Sequence, residues 1–297
     1  MLSHPAEDAM PGAVRRLAVA TLSVLAALTG LVAVADPAAA GLKGSQRVAH
    51  WTQKDLTPTK QHHVACPEGT VVISGGAEID GPEVGRIELL RPDQQLNRFE
   101  AGAYMPQGAE PWRLIVYAIC AAAPAGLTYV TAASTAVVPG SQLRTAVAFC
   151  PKGTQVIGMG ARASVERERH VELESMFTNQ SRTGVVAWTN GVQPVGEKKD
   201  WTTEAYAVCA AMPDGELDEA WYPFTLDHGN RMWVSCGQAK PLGTGSGFET
   251  VSDNAHGWIW LHDLIPDADQ RSTYVETHKS KVNLTDEWYT IASVICV

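Results

Sequence analysis

Apolar and polar positions alternate in short runs along this chain, and the alternation returns three times. Ile87 and Leu89 flank Glu88, Val171 and Leu173 flank Glu172, and Trp258 and Trp260 flank Ile259. A period of two marks a strand whose faces meet different surroundings. Further runs follow at Phe99 to Tyr104, Gly184 to Thr189 and Ser272 to Thr277, and a last strand closes each block: Trp112 to Cys120, Trp201 to Cys209, Trp288 to Cys296. The offset from Trp to Cys is eight each time, an even number, so both side chains of an unbroken strand share a face and the tryptophans are expected in the core. With an approach strand before each first cysteine, the pattern predicts about five strands per block and roughly fifteen in all. Helix signals are few, since Ala121 to Pro124 and Ala210 to Pro213 are stopped by proline and read as links.

The turns repeat as well. Cys66-Pro67-Glu68-Gly69-Thr70 leads to Gly75-Gly76-Ala77, and Cys150-Pro151-Lys152-Gly153-Thr154 leads at the same spacing to Gly158-Met159-Gly160-Ala161. The third copy keeps Cys236 and reaches Gly245-Ser246-Gly247-Phe248 one position late. These glycines fit places where a strand bends or two backbones approach closely. The chain is therefore an internal triplication, with repeats at about 41–125, 126–213 and 214–297 forming a single threefold β-domain behind a signal peptide over 1–40. The expected fold is all-β, a pseudo-threefold β-prism or barrel-like body of three disulfide-stapled antiparallel repeats. Closing the sheets around an axis would remove free edges. Gly41 to Lys60, with Trp51, and Trp221 to Asn230 are expected to lead in to their blocks as strands.

The signal peptide is read from Arg15 and Arg16, the apolar run Leu17 to Val32, and two A-x-A sites before Asp36 and Gly41. No later segment has the length and hydropathy to span a bilayer, so no membrane contact beyond that segment is expected, and the protein is placed outside the cell. Without residues 1–40 the chain carries 29 acidic and 21 basic residues, a net of −8, which disfavours a nucleic-acid partner. Six cysteines allow fifteen pairings. If each block folds as a unit, Cys66 pairs with Cys120, Cys150 with Cys209 and Cys236 with Cys296, each bridge contributing up to roughly 4 kcal/mol in the chain-entropy model.

With C-P-x-G-T, a glycine-bearing strand, an alternating strand and a closing strand ending in Cys, the chain resembles the vitelline membrane outer layer proteins. The resemblance rests on Cys66 to Gly69 and Cys150 to Gly153, with Cys236 matching by position; the family's D-D-T-A-L-N-like run before the closing cysteine is absent. It implies a prism of three sheets and an association with sugar polymers or surfaces. The chain is also similar to exported actinobacterial proteins carrying C-P-x-G and G-G-A strands, which imply no activity.

No catalytic constellation emerges. His262-Asp263, Asp227-His228 and His62-His63 are strand neighbours, whose side chains point to opposite faces. Glu172 and Glu174 would share a face, with Glu88 matching Glu172, and all three read as a solvated outer surface. No C-x-x-C or H-x-x-x-H spacing offers a metal set, and no cofactor is expected. The third block departs from the other two by adding Trp233, His256, Trp258, Trp260 and His262, with Asp253, Asn254 and Asp263 close by. Aromatic faces beside amides and carboxylates suit a sugar, whose ring stacks while its hydroxyls bond. The expected function is a secreted, non-enzymatic binding or structural protein on extracellular or envelope polysaccharide. Its rival is a glycan hydrolase drawing on Glu172, Glu174, Asp263 and His262. Mass spectrometry of the unreduced, digested protein should find three within-block bridges; a bridge between blocks would break the triplication.

Overall fold

The computed structural model describes residues 42–106, 108–135, 143–165, 171–191, 201–212, 216–221, 229–237, 243–252, 259–279 and 288–297. The signal segment lies outside them. These residues form eighteen strands and no helix, six strands per repeat against the five expected. The first repeat holds β1 (Gln46–Trp51), β2 (Thr59–Ala65), β3 (Val71–Asp80), β4 (Arg86–Asp93), β5 (Arg98–Tyr104) and β6 (Arg113–Ala121). The second holds β7 (Thr128–Ser134), β8 (Leu143–Phe149), β9 (Gln155–Val165), β10 (Val171–Thr178), β11 (Gly184–Gly191) and β12 (Trp201–Ala210). The third holds β13 (Glu216–Trp221), β14 (Gly229–Ser235), β15 (Gly243–Ser252), β16 (Ile259–Pro266), β17 (Ser272–Lys279) and β18 (Trp288–Cys296). The additional strand in each repeat is the lead-in, β1, β7 or β13, which pairs with that repeat's closing strand.

No repeat keeps a sheet to itself. The three six-stranded sheets run β1-β6-β3-β16-β17-β14, β2-β5-β4-β9-β12-β7 and β13-β18-β15-β10-β11-β8. Each repeat places its first, sixth and third strands in one sheet and its fourth, fifth and second in another. Every sheet is thus half one repeat and half a neighbour, in a cyclic order that gives the pseudo-threefold body. The expectation that closure removes edges is corrected here, because each sheet is open and ends on two edge strands. The bridges Cys66–Cys120, Cys150–Cys209 and Cys236–Cys296 all form, with Cα atoms 5.6, 5.7 and 5.6 Å apart. Each joins the end of a second strand to a closing strand in a different sheet, so the three bridges tie the three sheets in a ring.

The joints between repeats lie where a glycine strand meets the fourth strand of its neighbour: Leu90 opposite Ala161, Met176 opposite Phe248 and Leu264 opposite Ala77. The second glycine of each motif makes this possible. A Cβ on Gly76 would sit 1.9 Å from the Leu264 carbonyl oxygen, on Gly160 2.4 Å from that of Leu90, and on Gly247 2.6 Å from that of Met176. One continuous apolar core runs through all three repeats. Trp112, Trp201 and Trp288 are buried, as the even offset requires. Lys60 lies over the Trp112 ring at 4.9 Å and donates to its carbonyl at 2.7 Å, while Arg144, at the same register position, lies 4.0 Å from the centre of the Trp201 ring. The third repeat has Asn230 there, buried with neither amide atom partnered. Gly76→Ala should destabilise the protein by ~2 kcal/mol or more and lower Tm by several degrees in a thermal melt, because backbone cannot yield as a side chain does. Gly237→Ala, facing open space, should change stability by less than about 0.5 kcal/mol.

Candidate functional site

The fourth strand of each repeat carries a β-bulge. Pairing with the fifth strand slips between Ile87 and Leu89, between Leu173 and Ser175, and between Leu261 and Asp263, leaving Glu88, Glu174 and His262 as the extra residues. Counting back from Leu90, Met176 and Leu264 makes these three residues equivalent. Two residues earlier, Arg86, Glu172 and Trp260 are equivalent in turn. The match of Glu88 with Glu172 read from the alternation is therefore corrected to Glu88 with Glu174, because the second repeat has two more residues than the first between its second glycine and the joint on its fourth strand, Gly160 to Met176 against Gly76 to Leu90.

The equivalent residues Arg86, Glu172 and Trp260 meet. Arg86 Nη1 donates to Glu172 Oε1 at 2.6 Å, and its guanidinium lies 5.6 Å from the centre of the Trp260 ring. Arg86 Nε, Glu172 Oε2 and Trp260 Nε1 are buried without a partner. The solvated-face reading of the glutamates fails at this point. Glu172 and Glu174 are 2% and 1% exposed, and Asn190 Nδ2 donates to Glu174 Oε2 at 3.3 Å. Burial drives the Glu172 carboxyl well above its usual range; Arg86 opposes this, and the charges of Glu174 and Glu88 add to it. Glu88 keeps part of its surface in solvent, yet its carboxyl is packed closely enough that desolvation, opposed by Arg86, pushes its pKa up to about 7.

The polar cluster continues through the third repeat. The bulge defeats the opposite-faces argument for His262-Asp263: Nδ1 of His262 lies 3.0 Å from Asp263 Oδ1, a close ion-pair contact whose angle is poor for a hydrogen bond. Asp263 Oδ1 also accepts from the Ile79 amide at 2.9 Å, and His262 Nε2 stands 3.3 Å from the Pro82 carbonyl. Opposite them on β17, His278 Nε2 stands 2.8 Å from Glu276 Oε1, which accepts from Arg231 at 2.9 Å, while Tyr274 Oη donates to Glu276 Oε2. Burial would raise the Glu276 carboxyl, but His278, Tyr274, Arg231 and the charge of His262 hold it at about 2. Burial pulls His262 down, and Asp263, Glu276 and the Pro82 carbonyl outweigh that, leaving it above its ordinary value. Trp260 stacks on His278 with ring centres 6.4 Å apart. Trp233, 59% exposed on edge strand β14, packs against Tyr274 at 4.7 Å.

Neither a known protein-family model nor any curated protein matches this chain.

Of the residues singled out from the sequence, Trp260, His262 and Asp263 share the buried cluster, and Trp233 reaches it through Tyr274 and Glu276. Asp253, Asn254, His256 and Trp258 lie outside the described residues. Glu276, His278, Arg86 and Tyr274 went unseen, because they are brought to the site by cross-strand pairing and carry no local motif. His62 and His63 do not pair with each other as a site, but His62 Nε2 lies 2.6 Å from His50 Nδ1 where edge strands β1 and β2 adjoin. A cavity of about 300 Å³ beside Leu56, Met105, Glu110 and Trp112 is separate from the cluster.

The raised Glu88 carboxyl makes stability depend on pH. A carboxyl with a folded pKa of about 7 against 4.5 unfolded binds its proton more tightly when folded, so its contribution is complete below pH 4.5 and is lost as pH rises to about 7. Glu88→Gln should therefore gain on the wild type across that window, by up to ~3 kcal/mol at pH 8, in urea melts followed by tryptophan fluorescence. A constant difference between the two proteins from pH 4 to 8 would contradict the raised carboxyl.

Proposed function

We propose that this is an exported, non-enzymatic binding protein that associates with extracellular or envelope polysaccharide through the outer face of the β14–β17 edge. The observation that carries the reading is the exposed Trp233 packed on Tyr274, with Arg231 on the same face of β14 and Glu83 3.5 Å from it. An aromatic plane offers a pyranose ring its stacking face, and a guanidinium and a carboxylate beside it meet ring hydroxyls. Export is supported by the N-terminal pattern and by three disulfides, which form and persist in oxidising compartments. Among the described residues no helix is long and apolar enough to cross a membrane. The resemblance to vitelline membrane outer layer proteins points to sugar polymers in the same way.

The hydrolase reading draws less support. Glu172 is desolvated and bonded to Arg86, and Asp263 is engaged by a backbone amide and by His262, so neither stands free to attack or to activate water. Retention on a panel of insoluble polysaccharides, chitin, peptidoglycan and cellulose among them, should occur for at least one polymer and fall tenfold or more in Trp233→Ala, with no reducing ends released. Retention on none would leave a structural role toward another protein. Reducing ends that vanish in Glu172→Gln would instead restore the hydrolase.

A further inference from the structure

We propose that His262, Glu276 and His278 form a binding site for a divalent transition metal of the zinc class. All three are buried, and one donor atom from each lies within 4.8 Å of the other two. Two imidazoles and one carboxylate make a borderline-soft donor set that suits zinc and its neighbours, whereas calcium and magnesium require more oxygens. Tetrahedral ligands at zinc stand roughly 3.3 Å apart, so side-chain shifts of about an ångström would close the set.

The surroundings are those that orient metal ligands. His262 Nε2 stands 3.3 Å from the Pro82 carbonyl, which can only accept, so the proton sits on Nε2 and leaves Nδ1, buried without a hydrogen-bond partner, as the donor. Tyr274 holds Oε2 of Glu276 and leaves Oε1 toward His278. Trp260 stacks on the His278 ring and limits its rotation. Second partners of this kind fix tautomer and direction.

The triplication supplies a separate argument. At the three positions where the third repeat has His262, Glu276 and His278, the first has Glu88, Gly102 and Tyr104, and the second has Glu174, Trp188 and Asn190. The shared fold does not call for two histidines and a glutamate there. The set belongs to one copy alone, as a site built onto a repeated scaffold would. Arg231 now neutralises Glu276, but its side chain is 62% exposed and can swing into solvent when a cation takes its place.

The test is Zn²⁺ titration of the EDTA-treated, purified chain by calorimetry, with metal content measured after dialysis. One ion per chain is expected. Affinity should fall at least tenfold in His278→Gln and in Glu276→Gln, and stay unchanged in His62→Ala. Because the buried substitutions could impair folding, Arg231→Ala provides a second arm at an exposed position, where removing the competitor for Glu276 should tighten binding several-fold. Absence of saturable binding, loss of binding in His62→Ala, or an affinity unmoved by Arg231→Ala would each overturn the site.

Discussion

A carbonyl oxygen pressed against a glycine Cα joins this protein together. At Gly76, Gly160 and Gly247 the fourth strand of a neighbouring repeat comes so close that a single methyl group would overlap its backbone. This approach makes one sheet out of two half-sheets from different repeats. Since each repeat gives half its strands to each of two sheets, none can complete its pairing alone, and the repeats should fold as one cooperative body rather than as beads. The three disulfides act on the same arrangement, each linking two sheets, so that the ring of sheets is covalent as well as packed.

The bulges turn a symmetric scaffold into an asymmetric site. In an unbroken strand, His262 and Asp263 would face opposite ways; the additional residue brings both to one side, against Glu276 and His278. The same irregularity in β4 and β10 places Glu88 and Glu174 near Arg86 and Glu172. Burying this much charge is unfavourable unless it is paired. The molecule meets that demand unevenly. Glu276 gains three hydrogen-bonding partners and ionises easily, while Glu172 shares one guanidinium with nearby carboxylates and is driven toward its neutral form.

Symmetry also separates scaffold from chemistry. The core tryptophans, the bridged cysteines and the second glycines recur in every copy and do structural work. Trp260, His262, Glu276 and His278 replace residues of other types at the equivalent places, and they cluster. The exposed Trp233 on the edge of the same sheet extends that difference to the surface, where a polymer could reach it.

Strand identity, the triplication, the cysteine pairing and the burial of Trp112, Trp201 and Trp288 were legible in the sequence, because each follows from local period and spacing. The lead-in strand of the second repeat, β7, lacks the tryptophan that marks Trp51 and Trp221, and that of the third, β13, runs Glu216–Trp221, ending at the tryptophan where the strand expected over Trp221 to Asn230 would begin. Exchange of half-sheets between repeats was not legible, as strands of one repeat and of its neighbour share the same alternation and pair equally well on pattern alone. Nor were the bulges, which depend on how strands twist where three sheets meet. The bulge in β16 reversed the reading of His262-Asp263 from opposed to adjacent, and burial of β10 on both faces reversed that of Glu172 and Glu174 from solvated to buried. The order of residues set which side chains could be near one another within a strand. Which strands became neighbours, and so which charges had to be buried together, was decided only by the packing of the three repeats.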